Sequence, residues 1–194
     1  QIHLFSPAIG ITAFATVAGW HRALAAIPFF EKFRWEPVMP EYDPFKYNSF
    51  PKIAGHQSWS LARVLNRELQ ELGASGDLRR MPPILAFQSL ADSTVLTESL
   101  VSRLFDRLEV PNSELVIFDI NRLGDIQELI TSRYDGLLEG IMDDRQRSYS
   151  LTVVTNVSAE SSEIVARELL PGGGRLDDEP LPFEWPTGIY SMTH

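Results

Sequence analysis

Short apolar runs closed by turn residues alternate along this chain with longer stretches whose apolar positions recur every three to four residues. Ile-His-Leu-Phe at 2–5, ended by Ser6 and Pro7, reads as a short buried strand. Pro-Ile-Leu-Ala-Phe-Gln-Ser at 83–89 and Glu-Leu-Val-Ile-Phe-Asp-Ile at 114–120 read the same way, as does 150–155. Between them lie helical periods. Residues 60–72 predict a helix with Ser60 as N-cap, Leu61, Val64, Leu65 and Leu69 as its buried face, and Gly73 as its stop. Residues 94–108 bury Val95, Leu96, Leu100, Val101, Leu104, Phe105 and Leu108, and residues 123–142 bury Ile126, Leu129, Ile130, Leu137, Leu138 and Ile141. Further helices are expected over 13–27, closed by Pro28, and over 159–170, capped by Ser158. Residues 76–81 and 143–147 read as polar connections, and 188–194 as a final turn or short strand. Strand, helix and strand with short connections imply parallel pairing through right-handed crossovers. The expected fold class is therefore α/β, a mostly parallel sheet flanked by helices within one domain over 1–194.

Two segments break the pattern. Residues 28–60 hold Phe29, Phe30, Phe33, Trp35, Tyr42, Phe45, Tyr47, Phe50 and Trp59 among prolines at 37, 40, 44 and 51. Rings at that density, with so many prolines, predict a folded but irregular insertion, either a cap over a site or a loop packed by its rings. Residues 171–187 begin with three consecutive glycines and turn acidic, which predicts a flexible loop.

Charge and composition narrow the function classes. The net charge of −9 comes with scattered Lys and Arg, which argues against sequence-independent nucleic-acid binding. The absence of cysteine excludes disulfides, a thiol nucleophile and thiolate metal sites, and leaves the compartment undecided. No apolar run reaches the length that spans a bilayer. The chain opens on an apolar run without a starting Met and stops just after another, so both ends are expected to be cuts from a longer protein.

Asp92 is the leading chemical candidate. In an open parallel sheet, functional groups gather beyond the carboxyl ends of strands, and Asp92 follows the 83–89 strand. Its simpler reading is a cap for the next helix. His194 is the second candidate, in Gly-Ile-Tyr-Ser-Met-Thr-His; His3, His21 and His56 lie in a strand, a helix and the aromatic segment. No His-Glu-x-x-His and no close His/Asp cluster suggests a metal. Gly172–Gly173–Gly174 lacks the strand and the Lys-Ser/Thr of a phosphate loop. Asp143–Asp144 and Asp177–Asp178 fall in polar turns, and Ser158 of the sequon Asn156–Val157–Ser158 is explained as a helix cap.

Taken in order, these pieces resemble the C-terminal part of an α/β-hydrolase of the serine esterase, lipase and lysophospholipase type. Ile-His-Leu-Phe-Ser-Pro-Ala resembles the strand after the nucleophile elbow, and the aromatic stretch resembles the cap inserted behind it. Residues 83–95 look like the next core strand with its acid turn, 114–120 like the strand before the histidine loop, and Tyr190–Ser191–Met192–Thr193–His194 like that loop's ending. The resemblance implies Asp92 as the triad acid and His194 as the general base, in the chain order Ser, Asp, His. It implies no cofactor, and as partners an ester substrate, small or lipid, and the missing N-terminal half. Phe29, Phe30, Trp35, Tyr42, Phe45 and Tyr47 would line the substrate pocket.

The sequence departs from that pattern in two places. There is no Gly-x-Ser-x-Gly; Gly55–His56–Gln57–Ser58–Trp59 comes nearest, but Trp stands in place of the second Gly and no apolar strand precedes it. The nucleophile is therefore expected upstream of Gln1, and the chain by itself is expected to be inactive. In addition, a further strand and helix separate 114–120 from His194. The alternative is a non-catalytic α/β domain that uses its aromatic segment to bind a lipid or a protein.

Overall fold

A computed structural model describes residues 1–11, 52–92, 94–123, 127–143, 146–186, 188–189 and 191. The helix expected over 13–27, the pocket aromatics Phe29, Phe30, Trp35, Tyr42, Phe45 and Tyr47, and His194 lie outside the described residues.

The architecture is α/β. In chain order the elements are β1 (Ile2–Phe5), α1 (Lys52–Ser75), β2 (Ile84–Ser89), α2 (Thr97–Arg103), β3 (Glu114–Phe118), α3 (Gln127–Met142), β4 (Ser150–Asn156), β5 (Glu163–Leu169) and β6 (Glu179–Glu184). They form a six-stranded sheet in sequential order. β1 to β4 are parallel; β5 and β6 add antiparallel.

Sequential order has a geometric consequence. Right-handed crossovers that all step in one direction put every connecting helix on the same face of the sheet. The core divides accordingly. On one face Ile84, Ala86, Leu115, Ile117, Leu151 and Val153 pack with Leu69, Leu100, Leu104, Phe105, Leu138 and Ile141 from the helical connections. On the other, Val116, Val154, Ile164 and Trp185 form a smaller cluster with Leu85, Phe87, Phe118 and Leu181. Phe5 stacks on Phe87 with ring centroids 5.0 Å apart and Phe87 on Phe118 at 6.5 Å, yet Phe5 remains 73% exposed.

The structure corrects three expectations. The helix that begins at Ser60 in the sequence reading begins at Lys52, directly after Pro51, so Ser60 is interior. Of its expected buried face Leu69 is buried, but Leu61, Val64 and Leu65 are 70%, 46% and 40% exposed, and Ala62 faces inward in their place. Asn66, on the inward face, donates to the Ile9 carbonyl at 2.6 Å and ties α1 to the chain leaving β1. The helix expected over 159–170 is strand β5, paired with β4 from Leu151↔Leu169 to Asn156↔Ile164. Within the loop expected over 171–187, residues 179–184 form the edge strand β6; the three glycines make the turn, with φ of 81°, 98° and 102°. No helix of the described residues is long and apolar enough to cross a membrane.

The β5–β6 connection is fixed by Asp178, which accepts hydrogen bonds from Arg167 Nε at 3.0 Å and Arg175 Nη2 at 2.6 Å. Partial burial works to raise the Asp178 pKa, but the two arginines outweigh it and hold the carboxyl below its usual value. A folded pKa below the unfolded one adds stability above the unfolded value, about 3.9, and that stability is lost as pH falls through the folded value. Urea midpoints should therefore fall below about pH 4, and less steeply in Asp178→Asn. Identical slopes for the two proteins would show that this contact adds nothing to folding.

Candidate functional site

The carboxyl ends of β1 to β4 share one rim, and the polar groups of the chain concentrate there. Leaving β1, Ser6 turns the chain at φ 41° and residues 7–11 run along the start of α2. Leu96 N–H donates to the Gly10 carbonyl at 2.9 Å, and Ile11 bridges to Val95. Gly10 is there because nothing larger fits. A Cβ on it would lie 2.1 Å from Ser99 Cβ and 2.2 Å from Ser99 Oγ. Gly10→Ala should cost about 1–3 kcal/mol, the usual price of overpacking. The double variant with Ser99→Gly should unfold at higher urea than Gly10→Ala alone; a lower midpoint would locate the cost elsewhere.

At the end of β2, Asp92 is half-buried in a tight turn. Its Oδ1 accepts the backbone N–H groups of Thr94 and Val95, both at 2.9 Å. This is an Asx turn and not the helix cap expected as the simpler alternative. α2 starts only at Thr97, after Leu96, whose side chain caps nothing. Asp92 Oδ2 has no hydrogen bond to the described residues. Beneath the turn, Gln88 Nε2 donates to the carbonyls of Ser89 and Val95 at 3.2 and 3.3 Å, and Thr97 Oγ1 donates to Ser89 O at 3.1 Å. Gln88 Oε1 and Ser89 Oγ are buried and have no hydrogen-bond partner among the described residues.

At the end of β3, Asp119 is fully buried and accepts four hydrogen bonds. They come from Arg122 Nε at 2.5 Å, Arg122 Nη2 at 3.0 Å, Thr155 Oγ1 at 2.7 Å and its neighbour Ile120 N–H at 2.8 Å. Arg122 also pairs with Asp135 of α3. Burial lowers the Arg122 pKa, but its hydrogen bonds to Asp119 and Asp135 and their charges more than offset this and raise it. Asn156 is 2% exposed; it accepts from Arg122 N–H at 2.7 Å and donates to Ser161 O at 2.8 Å. Its amide is thus committed to the fold, which takes the sequon out of consideration as a glycan site. Asn121 Nδ2 donates to Ile189 O at 3.1 Å, so the chain returning from β6 crosses the rim beside the end of β3.

Other candidates fall away from this rim or away from function. Ser58 lies inside α1, so the 55–59 sequence forms no strand-to-helix elbow. His56 stands on the same helix, 6.1 Å from the Trp59 ring. His3 is exposed on β1. The Asp119–Arg122–Thr155 network escaped the sequence reading, although its signal was present: a carboxylate ending an apolar strand, with an arginine three residues on. No family model, curated protein or solved structure matches the chain.

Proposed function

We propose that this chain supplies the acid and the general base of a serine ester hydrolase of the α/β-hydrolase type, with Asp92 and His194 in those roles and the nucleophilic serine in a portion upstream of Gln1. The observation that carries the reading is the rim itself. Asp92 follows a parallel strand, has Oδ1 fixed by two backbone amides, and has no partner for Oδ2 among the described residues. The segment that leads to His194 is tied to the neighbouring strand end through Asn121 and Ile189.

In this mechanism the serine oxygen attacks the ester carbonyl while the His194 imidazole takes its proton and passes it to the leaving alcohol; a water that His194 then deprotonates releases the acid from the acyl-serine, and His194 returns the proton to the serine. Asp92 orients the imidazole and stabilises its cation. Substrates with apolar acyl groups, monoacylglycerol or lysophospholipid among them, suit the ring-rich 28–60 segment. The serine-bearing portion would pack against β1. Among the described residues that strand pairs with β2 alone, and its Phe5 ring is largely uncovered.

A fluorophosphonate probe on the full-length protein tests the assignment. Labelling should occur and should be lost in His194→Ala. No labelling of the wild type would leave a binding domain in place of an enzyme.

A further inference from the structure

The chain that leaves β6 is anchored first by Trp185, 7% exposed in the smaller core cluster, whose N–H donates to Ser162 O at 2.9 Å. A turn follows, closed by Ile189 N–H on the Pro186 carbonyl at 3.2 Å, with Gly188 at φ 79°, a conformation that glycine adopts without strain. The Ile189 side chain is 44% exposed, so little apolar burial holds the chain at this point. Its carbonyl is held by Asn121, whose Nδ2 donates to it at 3.1 Å. Five positions separate Ile189 from His194, so the chain between them spans at most about 18 Å. Where Ile189 crosses the rim therefore limits where an imidazole at 194 can lie.

Asn121 can hold Ile189 because its own amide is fixed. Its Oδ1 accepts from Leu123 N–H at 3.0 Å and from Asn156 Nδ2 at 3.2 Å. Two donors on one oxygen determine which end of the amide is which, and turn Nδ2 toward the carbonyl. Asn156 is locked in turn at the end of β4 by its bonds to Arg122 and Ser161. A relay of two amides thus runs from the buried end of β4 to the backbone that leads to His194. Asn121 is also level with the acid: Phe118 and Ser89 are register partners, and Asn121 follows Phe118 by three positions as Asp92 follows Ser89. We infer that Asn121, braced by Asn156, is a positioning residue for the general base, setting through its bond to Ile189 where the segment bearing His194 crosses the rim. The inference rests on the role proposed above for His194. An imidazole that must meet both a serine oxygen and a carboxylate tolerates little displacement, and a misplacement of about 1 Å costs on the order of 10²-fold in rate.

Asn121→Asp isolates the donor. Its carboxylate still accepts from Leu123 and Asn156 but has no N–H for Ile189. In the full-length protein, kcat for a short-chain nitrophenyl ester should fall by about 10–100-fold, with KM within about twofold of wild type. The value is taken on the plateau of the pH profile, where a shift in imidazole ionisation caused by the new charge does not enter. Asn121→Ala removes the donor without adding charge and should lose a comparable factor. Asp178→Asn loosens the β5–β6 connection with Asn121 in place, and should lower the urea midpoint without lowering kcat. Wild-type kcat in both Asn121 variants, a loss confined to KM, or a kcat loss that Asp178→Asn reproduces overturns the inference and leaves the hydrolase reading standing. A wild type that neither turns over the ester nor takes the fluorophosphonate label, or a His194→Ala that stays active, removes that reading and the inference with it.

Discussion

The full-length protein carrying Asp92→Asn should fold as the wild type does and lose roughly 10³–10⁴-fold in ester turnover, the scale that triad chemistry assigns to a misplaced histidine tautomer. The substitution is chosen because it separates the two roles Asp92 could have. Its turn is held through Oδ1, which accepts from the Thr94 and Val95 amides. An asparagine carbonyl oxygen accepts the same two bonds, so the turn and its contribution to stability should survive within a few tenths of a kcal/mol. What asparagine cannot provide is a second anionic oxygen to fix an imidazole N–H and stabilise its cation. Urea midpoints and turnover of a short-chain ester should therefore part company: unchanged stability with collapsed activity. Unchanged activity would reduce Asp92 to a turn residue and remove the acid from the proposed triad. Asp92→Ala is less informative, because loss of the turn, about 1 kcal/mol, would accompany any loss of chemistry.

The parallel part of the sheet was legible because its strands are short, mostly apolar runs with turn residues beside them. Ile84–Ser89 and Glu114–Phe118 match their expected spans to within two residues. β5 was not legible. Glu-Ile-Val-Ala-Arg-Glu-Leu is rich in good helix formers, and its periodicity is compatible with a helix. Pairing decided the outcome: β4 offers its outer edge, and Ile164 and Val165 bury against it as β-branched residues do well in a sheet. α1 shows a different failure. Of the larger side chains expected on its buried face only Leu69 packs; Leu61, Val64 and Leu65 are exposed, and Ala62 and Asn66 take the inward face, where Asn66 bonds to Ile9. Of the candidate site, the position of Asp92 beyond a strand was readable from order alone. The polar network at the next strand end was not, because four hydrogen bonds converging on Asp119 come from residues up to 36 positions apart.

That network sets the second large effect. Arg122→Met should destabilise the protein by about 3–5 kcal/mol, the cost of breaking a buried pair from one side. Asp119 is wholly inaccessible to solvent and has both oxygens engaged by Arg122. Without the guanidinium it retains only Thr155 Oγ1 and the Ile120 amide, with no positive charge in contact. Arg122→Lys should recover only part of the loss, since one ammonium cannot reproduce the two-pronged grip on Asp119 together with the contact to Asp135. Adding Asp119→Asn to Arg122→Met should offset part of the loss, because a neutral amide in the same place no longer needs a counter-charge. The double variant should then lie well above the sum of the single losses, a coupling on the order of 1–3 kcal/mol. Urea denaturation of the four proteins measures the cycle. A loss under about 1 kcal/mol for Arg122→Met would assign the pair the small value of an exposed ion pair. In that case the strand end that holds Asn121 against Ile189 would owe its order to the backbone and not to this charge cluster.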